Sequence, residues 1–149
     1  MPVSNVDVAF GELMPLIPVP WSIQAFVDRF AILRRRPIEL EARPMPPLVP
    51  ALLVVQSDLD TIWFDVLDSA EHCELHILHE IGHLAMGHTL ITADTQTAAE
   101  STGQNGGCPY PPAEQAEADL LAATLITAVR SQPQHQAATE LGRLTSTLL

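Results

Sequence analysis

The chain has no lysine, and its seven basic residues, all arginine, face eighteen acidic ones, leaving a formal charge of -11 over 149 residues. Nucleic-acid affinity rests on neutralising phosphates, so so acidic a chain speaks against direct binding to DNA or RNA and suits a partner with a basic face. Aromatic residues make up only 5% of a chain that is 47% hydrophobic. The core must therefore come from Leu, Val, Ile and Ala, a composition that favours helices. Long apolar runs are missing too: the longest stretches, such as residues 47–55, fall well short of the roughly eighteen residues that span a bilayer. No membrane segment is expected. The first residues, Met1-Pro2-Val3-Ser4-Asn5-Val6-Asp7, lack the basic start and apolar run of a secretory signal, so the expected compartment is the cytoplasm. Only two cysteines occur, Cys73 and Cys108. A reducing compartment keeps them apart as buried or idle thiols.

Proline is plentiful, and thirteen of them divide the chain into pieces. Residues 1–20 carry Pro2, Pro15, Pro18 and Pro20, which predicts an irregular N-terminal arm. Residues 21–149 are the size of one domain. Ile23, Phe26, Val27, Phe30 and Leu33 recur at helical spacing over residues 21–35, with Ser22 at the start and Pro37 as the stop. Alternation of Ile38, Glu39, Leu40 and Glu41 predicts a half-buried strand over 37–42. After a Pro-rich turn at 44–50, residues 52–56 and 61–66 form two β-prone runs joined by Ser57-Asp58-Leu59-Asp60, a hairpin connection. A helix follows over 71–88, capped by Asp68 or Ser69, with Glu71 and Glu74 where the dipole favours acids. Residues 89–112, rich in Thr, Ala, Gly and Asn, predict a mobile loop. Pro112 opens a helix running to about Arg130, with Ala116, Leu120, Ala123 and Thr124 directed inward, and a last amphipathic helix spans 134–148. The expected fold is α+β: a small three-stranded sheet with about four helices.

Within the helix over 71–88 lies His79-Glu80-Ile81-Gly82-His83. Residues four apart share a helix face, so two imidazoles can bind one metal while the glutamate between them serves as a base. A catalytic zinc needs a third protein ligand and an open position, and the third ligand is often a carboxylate from a later helix. Glu114 and Glu117 are the candidates, and small residues at 116, 118, 122 and 123 would let their helix pack closely on the motif helix. Glu117 is the expected third ligand. Gly82 points the same way, because a mid-helix glycine costs about 1 kcal/mol and is usually kept for the close approach of another group.

The run His79-Glu80-Ile81-Gly82-His83-Leu84-Ala85-Met86-Gly87-His88, followed by Glu114-Gln115-Ala116-Glu117-Ala118-Asp119-Leu120-Leu121-Ala122-Ala123, resembles the ImmA/IrrE family of metallopeptidases. The resemblance covers roughly residues 20–130 and is specific at the two motif helices. It departs from the family pattern in a long 89–112 loop and in Thr124-Leu125-Ile126-Thr127-Ala128, where relatives often carry Leu-Met-Pro. It implies a zincin-like minimal metallopeptidase domain, standing without the helix-turn-helix some relatives have. Zinc would be held by His79, His83 and Glu117, with Glu80 as general base. The implied substrate is a helix-turn-helix repressor, cut in a stress or mobile-element regulatory pair. The rival reading is a non-catalytic regulatory or toxin-antitoxin component that binds a partner protein through the same cleft.

Other residues carry paired readings. His72, His76, His79 and His83 form one stripe, which either lines a polar cleft, with His76 beside the metal, or holds a second metal. Tyr110 and His88 are candidate donors to a transition-state oxyanion, although His88 also reads as a solvated helix-end residue. Asp119 either orients a ligand histidine through its free ring nitrogen or is solvated. Arg34-Arg35-Arg36 reads as charge at a helix C-terminus rather than a nucleic-acid contact.

Overall fold

The computed structural model describes residues 4–88 and 110–132. Cys108, most of the expected 89–112 loop and the whole of the expected 134–148 helix lie outside the described residues.

The N-terminal segment is not an irregular arm. Ser4 accepts a hydrogen bond from the Asp7 amide and starts helix α1, Asn5–Leu13, which a short 3₁₀ turn, Met14–Leu16, extends. Pro15 and the later prolines lie beyond the helix rather than within it, so they end it without breaking it. Val6, Ala9 and Leu13 form its buried face. Helix α2, Ile23–Arg34, is capped by Ser22, whose hydroxyl accepts from the Ala25 amide, and ends where Arg35 turns left-handed at φ 59°.

Arg35 breaks the helix so that its two neighbours reach back to one acid. Arg34 and Arg36 bind opposite oxygens of Asp60 at 2.9 and 3.1 Å, and Asp60 is 0% exposed. Arg36 also donates to the carbonyls of Gln56 and Leu59. The arginine run thus ties the end of α2 to the start of a strand, a use beyond the helix dipole.

The strands are β1, Ile38–Arg43, β2, Ala51–Val55, and β3, Asp60–Asp65. β2 and β3 form the expected antiparallel hairpin, pairing Val55 with Asp60 and Ala51 with Phe64. β3 is the central strand, and β1 lies parallel to it with Ile38 opposite Asp60. Helix α3, Ala70–Ala85, packs on β2 and β3, and α4, Pro112–Arg130, packs on α3 and α1. Leu53 and Ile62 of the sheet meet Ile77, Leu78 and Ile81 of α3, Leu121 and Leu125 of α4, and Phe26 of α2 in one core. The result is an α+β domain with a mixed sheet.

The phase of α4 differs from the sequence expectation. Ala118, Leu121, Ala122, Leu125 and Val129 are buried, whereas Ala116, Leu120 and Ala123 face outward and Thr124 is half-buried. Alanine and leucine occupy every side of this helix, so its hydrophobic periodicity carries little phase information. Close packing on α3 is nevertheless found at Gly82, where a Cβ would lie 3.5 Å from the Ala118 Cα. No helix among the described residues is long and apolar enough to cross a membrane.

Candidate metal centre

Ser69, not Asp68, caps α3, its hydroxyl accepting from the His72 amide at 3.2 Å. From that start the helix carries His79 and His83 one turn apart on one face, and their Nε2 atoms come within 3.0 Å of each other. The second nitrogen of His79, Nδ1, lies 2.7 Å from Oδ1 of Asp119 on α4. A carboxylate only accepts, so this nitrogen is the donor, and Nε2 is the ring nitrogen that faces His83. Asp119 therefore orients a histidine and is also solvated, with its side chain 74% exposed.

Glu80, next to His79 in the helix, is buried. It is 2% exposed, and its Oε2 has no hydrogen-bond partner among the described residues. Burial pushes its carboxyl up to about 8, because a low-dielectric surrounding disfavours the charged form. His83 is 0% exposed. Burial, followed by the neighbouring His79 and His88 rings, depresses its proton affinity to a pKa of about 3, against a side-chain hydrogen bond with Gln115 that raises it. It stands as a neutral imidazole, the form that ligates metals. The Tyr110 ring stacks on that of His83 at 3.6 Å between centroids and 10° between planes.

The motif helix stops sooner than its sequence suggests. Gly87 takes φ +68°, its amide bonds to the Leu84 carbonyl, and the His88 amide bonds back to the His83 carbonyl at 3.0 Å. This pair of bonds is a Schellman turn, which glycine permits at no steric cost. The turn folds His88 against the helix, so it is buried at 7% exposure rather than solvated. Its Nδ1 lies 2.8 Å from Nδ1 of His83, and its Nε2 lies 3.2 Å from Oε1 of Glu117. Gly87 was the sequence signal for this arrangement, as glycine one residue beyond a helix end usually is. Gln115 carries no such signal, and only the packing of α4 brings it to His83.

The rest of the histidine stripe has another partner. His72 Nδ1 lies 3.0 Å and His76 Nε2 3.7 Å from the two oxygens of Asp68, the residue ahead of the helix cap. Burial lowers the His76 pKa below its ordinary value. Cys73 is half-buried with Sγ directed at the Asp65 and Asp68 carbonyls, and burial raises its thiol pKa.

Asp119, His79, His83, Tyr110, His88 and Glu117 thus form one set of side-chain contacts between α3 and α4, with His76 a turn away, whereas Glu80 adjoins them only through its place next to His79 in the helix. Two tetrahedral nitrogen ligands on a zinc-sized ion stand about 3.3 Å apart, so the approach of the two Nε2 atoms suits such an ion. The acid behind His79 is the partner that ligating histidines commonly have. The third donor is not in place: among the described residues no three His, Cys, Asp or Glu side chains converge on one point. Glu114 is half-buried, its Oε2 without a hydrogen-bond partner among the described residues, and Glu117 faces His88. The donor pair fits a metal, and Glu117 is linked to it through His88, which contacts both Glu117 and His83. No family model, curated protein or solved structure matches this chain.

Proposed function

We propose that this protein is a zinc-dependent endopeptidase acting on a protein substrate, of the helix-turn-helix repressor kind that the sequence resemblance implies. The observation that carries the reading is the 3.0 Å approach of the His79 and His83 Nε2 atoms, with Asp119 behind the first ring. Glu80, between these histidines in sequence, supports it. His79, His83 and Glu117 would hold the ion, which when bound polarises a carbonyl and makes water a better nucleophile.

The residues divide the remaining work. Glu80 would take a proton from the attacking water and return it to the leaving amine; without metal its burial holds the carboxyl protonated up to about pH 8, and a bound cation would favour the carboxylate that this task needs. Asp119 fixes the ring orientation of His79. The -11 charge favours a basic substrate segment over an acidic one.

The test is to incubate the zinc-loaded protein with the helix-turn-helix repressor encoded nearest to its gene, alongside Glu80→Gln. Cleavage by the wild type and none by the variant is expected. Cleavage that survives Glu80→Gln overturns the assigned mechanism, and tight binding without cleavage by either form favours a non-catalytic partner-binding role.

A further inference from the structure

We infer that His88 is a positioning residue that braces two candidate ligands at once, orienting His83 and holding Glu117 beside it. The inference rests on the metallopeptidase reading and assigns a role to a residue that the HExxH motif does not include.

Hydrogen-bond direction follows from one requirement. If His83 offers its Nε2 lone pair to a metal, its Nδ1 carries the proton and donates to the His88 Nδ1 at 2.8 Å. His88 then accepts at Nδ1, so its own proton sits on Nε2, which lies 3.2 Å from Oε1 of Glu117. Each donor meets an acceptor along the whole chain. A carboxylate has two oxygens with about four lone-pair sites. Glu117 can therefore keep one oxygen on His88 and present the other to the metal. One imidazole then serves the helix that supplies two ligands and the helix that supplies the third.

Local structure holds His88 in that place. The Gly87 turn bonds its amide to the His83 carbonyl, and at 7% exposure the ring has little room to rotate away. Tyr110 covers the far face of His83 and Gln115 reaches the same ring. His88 touches both ligands.

The experiment measures zinc affinity by chelator competition for wild type, H88A, H88Q, H88N, E117A and H88A/E117A, with cobalt(II) absorption to report the ligand set. Loss of a group that orients a metal ligand typically weakens affinity about 10- to 100-fold, and that range is expected for H88A. Glutamine keeps a donor for Glu117 and asparagine an acceptor for His83, so H88Q and H88N should each recover part of the loss. Removing Glu117 should cost less in the H88A background than in wild type, and the cobalt bands of H88A should move toward those of E117A. If H88A does not fold, H88Q and H88N carry the test. Affinity within twofold of wild type in folded variants, or losses from H88A and E117A that simply multiply, would overturn the bracing role. Failure of the wild type to bind zinc, or H79A binding as tightly as wild type, would instead remove the metallopeptidase reading beneath it.

Discussion

Replacing Gly82 by alanine and then by valine probes how closely α4 approaches the motif. A glycine in a helix interior costs about 1 kcal/mol relative to alanine. The added Cβ would lie 3.5 Å from the Ala118 Cα and from the Leu121 Cδ2, and 3.6 Å from the Ala118 oxygen. These are ordinary van der Waals separations, so the first methyl fits without displacing backbone. G82A should stabilise the fold by about 1 kcal/mol, raising Tm by roughly 3 °C in a chain this size. Valine places two more methyls where the first already touches its neighbours. Overpacking of this kind costs about 1–3 kcal/mol, and the strain is relieved only by moving α4 outward. That movement carries Glu117 and Asp119 away from the histidines, so G82V should lose both stability and zinc affinity while G82A keeps the latter. Urea denaturation of the metal-free proteins and chelator competition measure the two effects. A G82A variant destabilised by 1 kcal/mol or more, or a G82V variant with wild-type zinc affinity, would refute the packing argument.

Three further outcomes are expected. Asp60→Ala leaves Arg34 and Arg36 without the buried acid that joins α2 to β3, and denaturant unfolding should show a loss of about 3–5 kcal/mol; a loss below 1 kcal/mol would mean that the arginines simply turn to solvent. In chelated protein, stability should fall by about 2 kcal/mol between pH 6.5 and 8, because Glu80 is raised to about 8 in the fold and its contribution, complete below its unfolded value, is lost as pH rises. His83, depressed to about 3, acts in the opposite sense and below pH 6.5 only, so Glu80→Gln should flatten the upper window, and an unchanged slope in that variant would contradict the assignment. Asp119→Ala should weaken zinc binding about tenfold, the low end for a residue that orients a ligand, since the 74% exposure of Asp119 lets solvent screen its contact with His79; isothermal titration showing unchanged affinity would count against that contact.

Much of this molecule could be read from local signals. Ser22 and Ser69 cap their helices, Pro112 opens another, and residues 52–66 form a hairpin because periodicity and turn chemistry act within a few residues. The N-terminal helix was obscured because a count of prolines ignores that Pro15 comes after its last turn. The inward face of α4 was illegible because alanine and leucine surround the helix and cannot mark one side. Spacing of four also put the His79 and His83 rings on one face without reference to anything else in the chain. The sequence by itself determined the helix that carries these histidines and the identities of the acids that could serve them. Tertiary structure alone decided that Asp119 backs His79, that Asp60 gathers two arginines, and that a glycine turn swings His88 between His83 and Glu117. Those contacts join residues on different elements or across a change of chain direction, and a side chain's partner there depends on how helices pack, which no local pattern encodes.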